Sequence, residues 1–183
     1  MRLEVRVAGF GGQGIIRAGL ILAMAASLFE DKNAVQTQSY GPESRGGSCK
    51  SEVVISDEEI DFPKALEPDV LLVMSQAAYT RYADALKNGG TLIFDPYMIP
   101  QQKEDSKIRV YPVPATSMAE EMGKTIFANV IMLGALTAIT TLVSGEAMKK
   151  AILSNIPKGT EKLNLEAYEK GYEYGRKLLA EQK

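Results

Sequence analysis

The chain contains no histidine and a single cysteine, Cys49. Without an imidazole there is no ready general base beside a nucleophile. One thiol alone can neither close an internal disulfide, nor hold an iron–sulfur cluster, nor complete a zinc site. An excess of charge is missing too. The 21 Lys and Arg stand against 23 Asp and Glu with no basic stripe, which argues against a nucleic-acid partner. The N-terminus opens on an alternating apolar segment, with no basic region and apolar core ahead of a cleavage site, so a cytoplasmic setting is expected. Thr125 to Gly145 is the one long uncharged run. Asn129, Thr137, Thr140, Thr141 and Ser144 interrupt it, Gly134 sits in its middle and no aromatic belt flanks it. It is expected to be a helix in a core or beneath a partner subunit, not a membrane span.

What is present is ordinary for a globular protein: 45% hydrophobic and 24% charged residues in 183. That length supports one domain, 1–183, with 116–183 mostly helical, and not two cores. Leu3 to Ala8 alternates as a strand, and Ile15 to Phe29 carries a nearly continuous apolar helical surface. Glu4 and Arg6 predict that the first strand is wet on one side, at least at its beginning. Strands follow at Ala34 to Ser39 and Ser48 to Ile55, close enough in sequence to pair as an antiparallel hairpin. Val70 to Met74, a helix over Gln76 to Lys87 ended by Gly89-Gly90, and Thr91 to Asp95 make a second βαβ unit. One more strand is expected at Lys107 to Tyr111, then helices over Thr116 to Met122, Ile126 to Val143 and Glu146 to Leu153. A last helix follows Pro157-Lys158-Gly159, with Leu165, Tyr168, Tyr172 and Leu179 along one stripe. The expected fold is three-layer α/β/α, with a Rossmann-like, mixed but mostly parallel sheet and a helical C-terminal part.

Gly9, Gly11 and Gly14, with Phe10, Gly12 and Gln13 between them, match G-x-G-x-x-G between a strand and a helix. Glycine there allows positive φ and close backbone approach, and the helix start offers free N–H groups to an anion. The same glycines would equally serve a tight turn that packs helix on strand. Nicotinamide binding calls for an acidic residue at the end of the second strand, to hold the ribose. Gln36 to Tyr40 supplies none there, so a stand-alone nicotinamide enzyme is disfavoured. Glu43, Ser44 and Arg45 stand in a loop with Gly41, Gly46 and Gly47, either as a recognition element or simply as wet loop residues. Asp95 is either a ligand-facing strand end or a turn opener. Cys49 is read as a small strand residue, not a reactive thiol. No residue stands out as catalytic.

The segment Gly9 to Gly14, followed by Tyr40-Gly41-Pro42-Glu43-Ser44-Arg45-Gly46-Gly47, resembles the gamma subunit of 2-oxoacid:ferredoxin oxidoreductases. Asp69 to Val73 with Gln76, Gly90 to Ile93, and Asn129 to Gly134 continue the likeness across most of residues 3 to 145. The resemblance implies a complex that decarboxylates a 2-oxoacid, reduces ferredoxin and makes an acyl-coenzyme A. Thiamine diphosphate, magnesium and the iron–sulfur clusters would belong to alpha and beta subunits, with a delta subunit in some complexes. This chain would hold none of them alone. Its Gly9 to Gly14 loop would face coenzyme A or a neighbouring subunit, and its Tyr40 to Gly47 loop would serve recognition or an interface. The implied oxoacid is 2-oxoglutarate first, ahead of pyruvate, branched-chain oxoacids and indolepyruvate. The uncharged helix and the last helix's stripe are expected to supply apolar surface to partners. The alternative is a nucleotide-binding or regulatory module that uses the same loop without redox chemistry.

Overall fold

A computed structural model describes residues 1–40 and 48–182. Six strands form one sheet: β1 (Arg2–Phe10), β2 (Asn33–Ser39), β3 (Ser48–Ser56), β4 (Val70–Val73), β5 (Thr91–Phe94) and β6 (Arg109–Pro112). Their order is β2-β3-β1-β4-β5-β6. β1 pairs parallel with β4, and β4, β5 and β6 continue parallel. β3 pairs antiparallel with both β1 and β2. The expected hairpin is therefore present, and it is inserted beside β1, so that β2 becomes the edge strand.

Alternation along each strand divides the core between the two faces of the sheet. Val5, Val7, Val53, Ile55, Leu72 and Ile93 belong to the larger cluster, packed beneath α1 (Ile15–Phe29) and the C-terminal helices. Ala8, Leu71, Val73, Leu92 and Phe94 belong to a smaller one beneath α2 (Gln76–Tyr82). As expected, β1 is wet on this second face at its beginning, where Arg2 is exposed and Glu4 half-buried, but the wet stretch ends before Arg6. Arg6 is only 5% exposed, and its guanidinium pairs with buried Glu52 at 2.8 Å and lies 5.4 Å above the Tyr82 ring. A charge survives there because Glu52 and Tyr82 replace the water it gives up.

Helix boundaries shift where tertiary bonds intervene. α2 begins at Ser75, whose Oγ accepts from the Ala78 N–H. It stops at Tyr82 rather than Lys87, and a single 3₁₀ turn, Ala83–Ala85, follows before the Lys87 N–H bonds to the Pro68 carbonyl at 3.1 Å. After β6 come α3 (Ala115–Glu121), α4 (Ala128–Thr140), α5 (Gly145–Ser154) and α6 (Glu161–Glu181). α4 ends before Val143 because Thr141 turns left-handed, φ 51°.

Every residue of α4 from Ala128 to Ala138 is buried, and its cover is α6 of the same chain. The apolar helix is thus covered within the chain by one face of α6, which corrects the expectation that it is left for partners. Of the expected stripe, Tyr168 is buried while Leu165, Tyr172 and Leu179 are only half-buried. The inner face is built instead on Asn164, Ala167, Tyr168, Gly171 and Gly175. A Cβ at Gly171 would collide with the Ile131 carbonyl, and one at Gly134 with that of Tyr168, so the two backbones touch.

This contact yields a graded prediction. Alanine is worth about 1 kcal/mol over glycine inside a helix, while overpacking costs about 1–3 kcal/mol. Gly171→Ala meets immovable backbone and is expected to lower the stability measured by urea unfolding by about 1–3 kcal/mol, the overpacking range. Gly175→Ala, whose nearest neighbour would lie at 3.0 Å, should stay within about 1 kcal/mol of wild type, the helix-propensity gain offsetting the tighter contact.

Candidate functional site

β1 runs out at Phe10, and the chain reverses through Gly12, φ 97°, and Gly14, φ 76°, into α1. Both glycines occupy the left-handed region that side chains resist. Gln13 fixes the turn with both ends of its amide. Its Oε1 accepts from the Phe10 N–H at 2.9 Å, and its Nε2 donates to the Met74 carbonyl at 2.7 Å. One side chain therefore ties the end of β1 to the end of β4. A Cβ at Gly9 would strike Gln13 and Ile15, and one at Gly14 would strike Asn129. Gly11 differs: it is exposed, and a Cβ there would meet nothing.

α1 starts without a capping side chain and without an acidic residue in its first turn, so the positive end of its dipole is uncompensated locally. Asn129, the second residue of α4, lies against this start. Its Nδ2 is 3.5 Å from the Gly14 carbonyl, and its Oδ1 is buried with no hydrogen-bond partner among the described residues. A buried amide oxygen without a donor is costly. The head of α1 is thus a polar corner, with donors on one side and an unsatisfied acceptor behind.

Beside it opens a cleft of about 380 Å³ at the carboxyl ends of β1, β4 and β5. It is lined by Phe10, Gly12, Gln13 and Met74 and by Tyr97, Met98, Thr116, Glu120, Thr125, Ile126 and Ala128. β1 and β4 are neighbours whose following helices go to opposite faces of the sheet, the switch point at which open α/β sheets bind ligands. The wall is largely apolar, and Tyr97 and Ile126 are exposed beside it. Asp95 supports that wall without entering it. Its carboxylate is fully buried and accepts from the Tyr97 N–H at 3.0 Å and from the Thr116 N–H and hydroxyl at 2.7 and 2.6 Å. Of its two readings, the turn opener is the one observed.

Gly12 and Gln13 line the cleft. Gly9 and Gly14 shape the turn from within, and Gly11 stands open beside it. Tyr40 is exposed beyond the end of β2 and does not line the cleft. Gly41, Glu43, Ser44, Arg45, Gly46 and Gly47 lie outside the described residues. β2 points the same way as β1, but β3 intervenes. Its end therefore lies about 9–10 Å from β1, two strand spacings away. An acidic residue there would stand one strand further from the turn than in a nicotinamide site. Tyr97, Met98, Thr116, Ile126 and Asn129 were not singled out as site residues from the sequence. The strand-end rule at Asp95 could have found the first two, and the lone amide in an apolar helix could have found Asn129.

The fold and cleft define an α/β scaffold with a glycine turn and a largely apolar cleft at the carboxyl ends of its parallel strands. Comparison with known proteins sharpens this class, because the chain belongs to the pyruvate ferredoxin/flavodoxin oxidoreductase family, which it matches over residues 4–174. It is 54% identical to the 2-oxoglutarate synthase subunit KorC of Methanocaldococcus jannaschii, over 97% of this chain and 96% of that one. The gamma subunit of keto/oxoacid ferredoxin oxidoreductase from Geobacter sulfurreducens has the same fold, with a TM-score of 0.85 and 41% identity over 94% of this chain and 98% of that one. The 2-oxoglutarate:ferredoxin oxidoreductase of Magnetococcus marinus, solved with 2-oxoglutarate, coenzyme A and succinyl-CoA bound, also gives 0.85. It is 26% identical over 97% of this chain and 31% of its own. The resemblance drawn from the glycine-rich segments holds.

Cys49 sits in β3 opposite Gly9, buried, and burial pushes its thiol pKa up. A raised pKa leaves less thiolate at neutral pH. Native protein at pH 7.5 should therefore react with iodoacetamide at least about tenfold more slowly than urea-unfolded protein, as followed by intact mass. Equal rates would contradict a structural role for this thiol.

Proposed function

We propose that this chain is the gamma subunit of a 2-oxoglutarate:ferredoxin oxidoreductase, inactive alone, which completes a complex with alpha and beta chains, and a delta chain where one exists. The observation that carries this reading is 54% identity along nearly the full length of a 2-oxoglutarate synthase subunit. Ferredoxin would meet the complex rather than this chain. The lone reduced thiol accords with a cytoplasmic setting, and no helix among the described residues is long and apolar enough to cross a membrane.

Among the described residues no three His, Cys, Asp or Glu side chains gather to hold a metal ion. Magnesium, thiamine diphosphate and the iron–sulfur clusters are proposed, on the family likeness, to belong to the companion chains, where thiamine diphosphate would supply the carbanion chemistry of decarboxylation. The contribution of this chain is positional. Coenzyme A is anionic at its diphosphate and largely apolar along its pantetheine arm. The α1 head offers dipole and amide donors to the first, and the Phe10, Met74 and Met98 wall offers cover to the second. The cleft volume of about 380 Å³ admits part of such a ligand, with the remainder under a neighbouring subunit. Tyr40 follows β2 at the same end of the sheet, and the Tyr40 to Gly47 segment is proposed as the contact with that neighbour.

Gly11 separates this reading from a turn that merely packs. Replacing Gly14 would break the turn outright, because its φ is positive and Asn129 blocks a Cβ. Gly11→Val keeps the fold and places a branched side chain beside the cleft. In the reconstituted complex it should raise the KM for coenzyme A by about tenfold or more, roughly 1.4 kcal/mol, with the thermal midpoint of the isolated chain unchanged. A wild-type KM with intact assembly would remove coenzyme A from this loop.

A further inference from the structure

The connector between β3 and β4, residues 57–69, contains neither helix nor strand, yet β1 holds it at several points. Buried Arg6 donates to the Ala65 carbonyl at 2.5 Å, and Ala65 itself is buried. Arg2 donates to the Phe62 and Lys64 carbonyls at 2.8 and 3.4 Å. At one end Asp57 pairs with the terminal ammonium at 3.1 Å. At the other, Asp69 accepts from the Glu4 N–H at 2.9 Å and returns its own N–H to the Glu4 carbonyl at 2.8 Å.

Held in this way, the connector presents apolar side chains outward. Phe62 is 48% exposed and Leu66 is 65% exposed, in a groove of about 370 Å³ lined also by Arg2, Glu4, Glu67, Asp69 and Lys87. Fixing two large apolar side chains in water is unfavourable unless a partner covers them. The charge around them says what kind. Glu58, Glu59, Asp61 and Glu67 are exposed, and none pairs with a cation among the described residues. Lys64 is the one cation in the segment, and the two cations lining the groove, Arg2 and Lys87, are already paired with Glu4 and Asp69, so the unpaired charge on this face is mainly negative.

We infer that the 57–69 connector is a docking surface for another subunit of the assembly, one whose contact area is apolar at its centre and basic at its rim. Complementary charge steers the approach, and the covered Phe62 and Leu66 hold it. The connector joins the end of β3 to the start of β4, so it lies at the opposite end of the sheet from the glycine turn. The chain thereby bridges two neighbours, one at each end of its parallel strands. This inference rests on the subunit reading above.

The test compares wild type, Phe62→Ser/Leu66→Ser and Glu58→Lys/Glu59→Lys/Asp61→Lys for binding to the companion chains, by titration at low and high salt. Since all five side chains are exposed, the thermal midpoint of each isolated variant should match wild type. Both variants are expected to bind at least about tenfold more weakly. Added salt should weaken wild-type binding but not that of the charge-reversed chain. Wild-type affinity in either variant overturns the inference, as does a surface that only joins two copies of this chain. Failure of the wild-type chain itself to bind overturns the subunit reading and the inference with it.

Discussion

The reversal between β1 and α1 admits no side chain at Gly9 or Gly14, and much of the site follows from that restriction. Because Gly14 is left-handed and lies against Asn129, the start of α1 is fixed relative to α4, two elements more than a hundred residues apart. Because Gln13 spans Phe10 and Met74, the same turn sets the spacing of the β1 and β4 ends that floor the cleft. Asp95 does the equivalent on the far wall, using a carboxylate to order Tyr97 and Thr116. The cleft is thus preorganised by two hydrogen-bonding side chains, Gln13 in its lining and Asp95 buried behind its far wall.

The enclosure of α4 shows why apolar sequence alone is a poor guide to interfaces. An uncharged helix must be covered, but its sequence does not say by what. Here α6 covers it, by backbone approach at Gly134 and Gly171 rather than by large interlocking side chains. Apolar side chains that remain exposed lie elsewhere, among them Tyr97 and Ile126 near the cleft, Phe62 and Leu66 on the connector and Leu28 near the end of α1.

Much of the fold was legible because it rests on local patterns. Each strand, the β2–β3 hairpin and the order of helices follow from alternation, helical spacing and glycine breaks. Three kinds of feature were not. The Arg6–Glu52 pair needs a partner strand to make a charged residue internal, so alternation alone placed Arg6 in water. The early end of α4 depends on one left-handed threonine, a residue type that gives no such signal. The glycine face of α6 was overlooked because glycine counts as neutral in an apolar stripe, although it permits the closest packing. At the site, the glycine turn was visible in the sequence. The opposite wall was not, since only the parallel arrangement of β4 and β5 brings Met74 and Tyr97 together.

The central claim is that this chain shapes and positions chemistry whose reactive groups belong to other chains. The most direct measurement is 2-oxoglutarate-dependent, coenzyme A-dependent reduction of ferredoxin, by the purified chain alone and after addition of separately purified companion chains. The account predicts no turnover by the chain alone, and turnover on reconstitution that exceeds what the companions achieve without it. Turnover by the isolated chain, or full activity of the companions in its absence, would contradict the account.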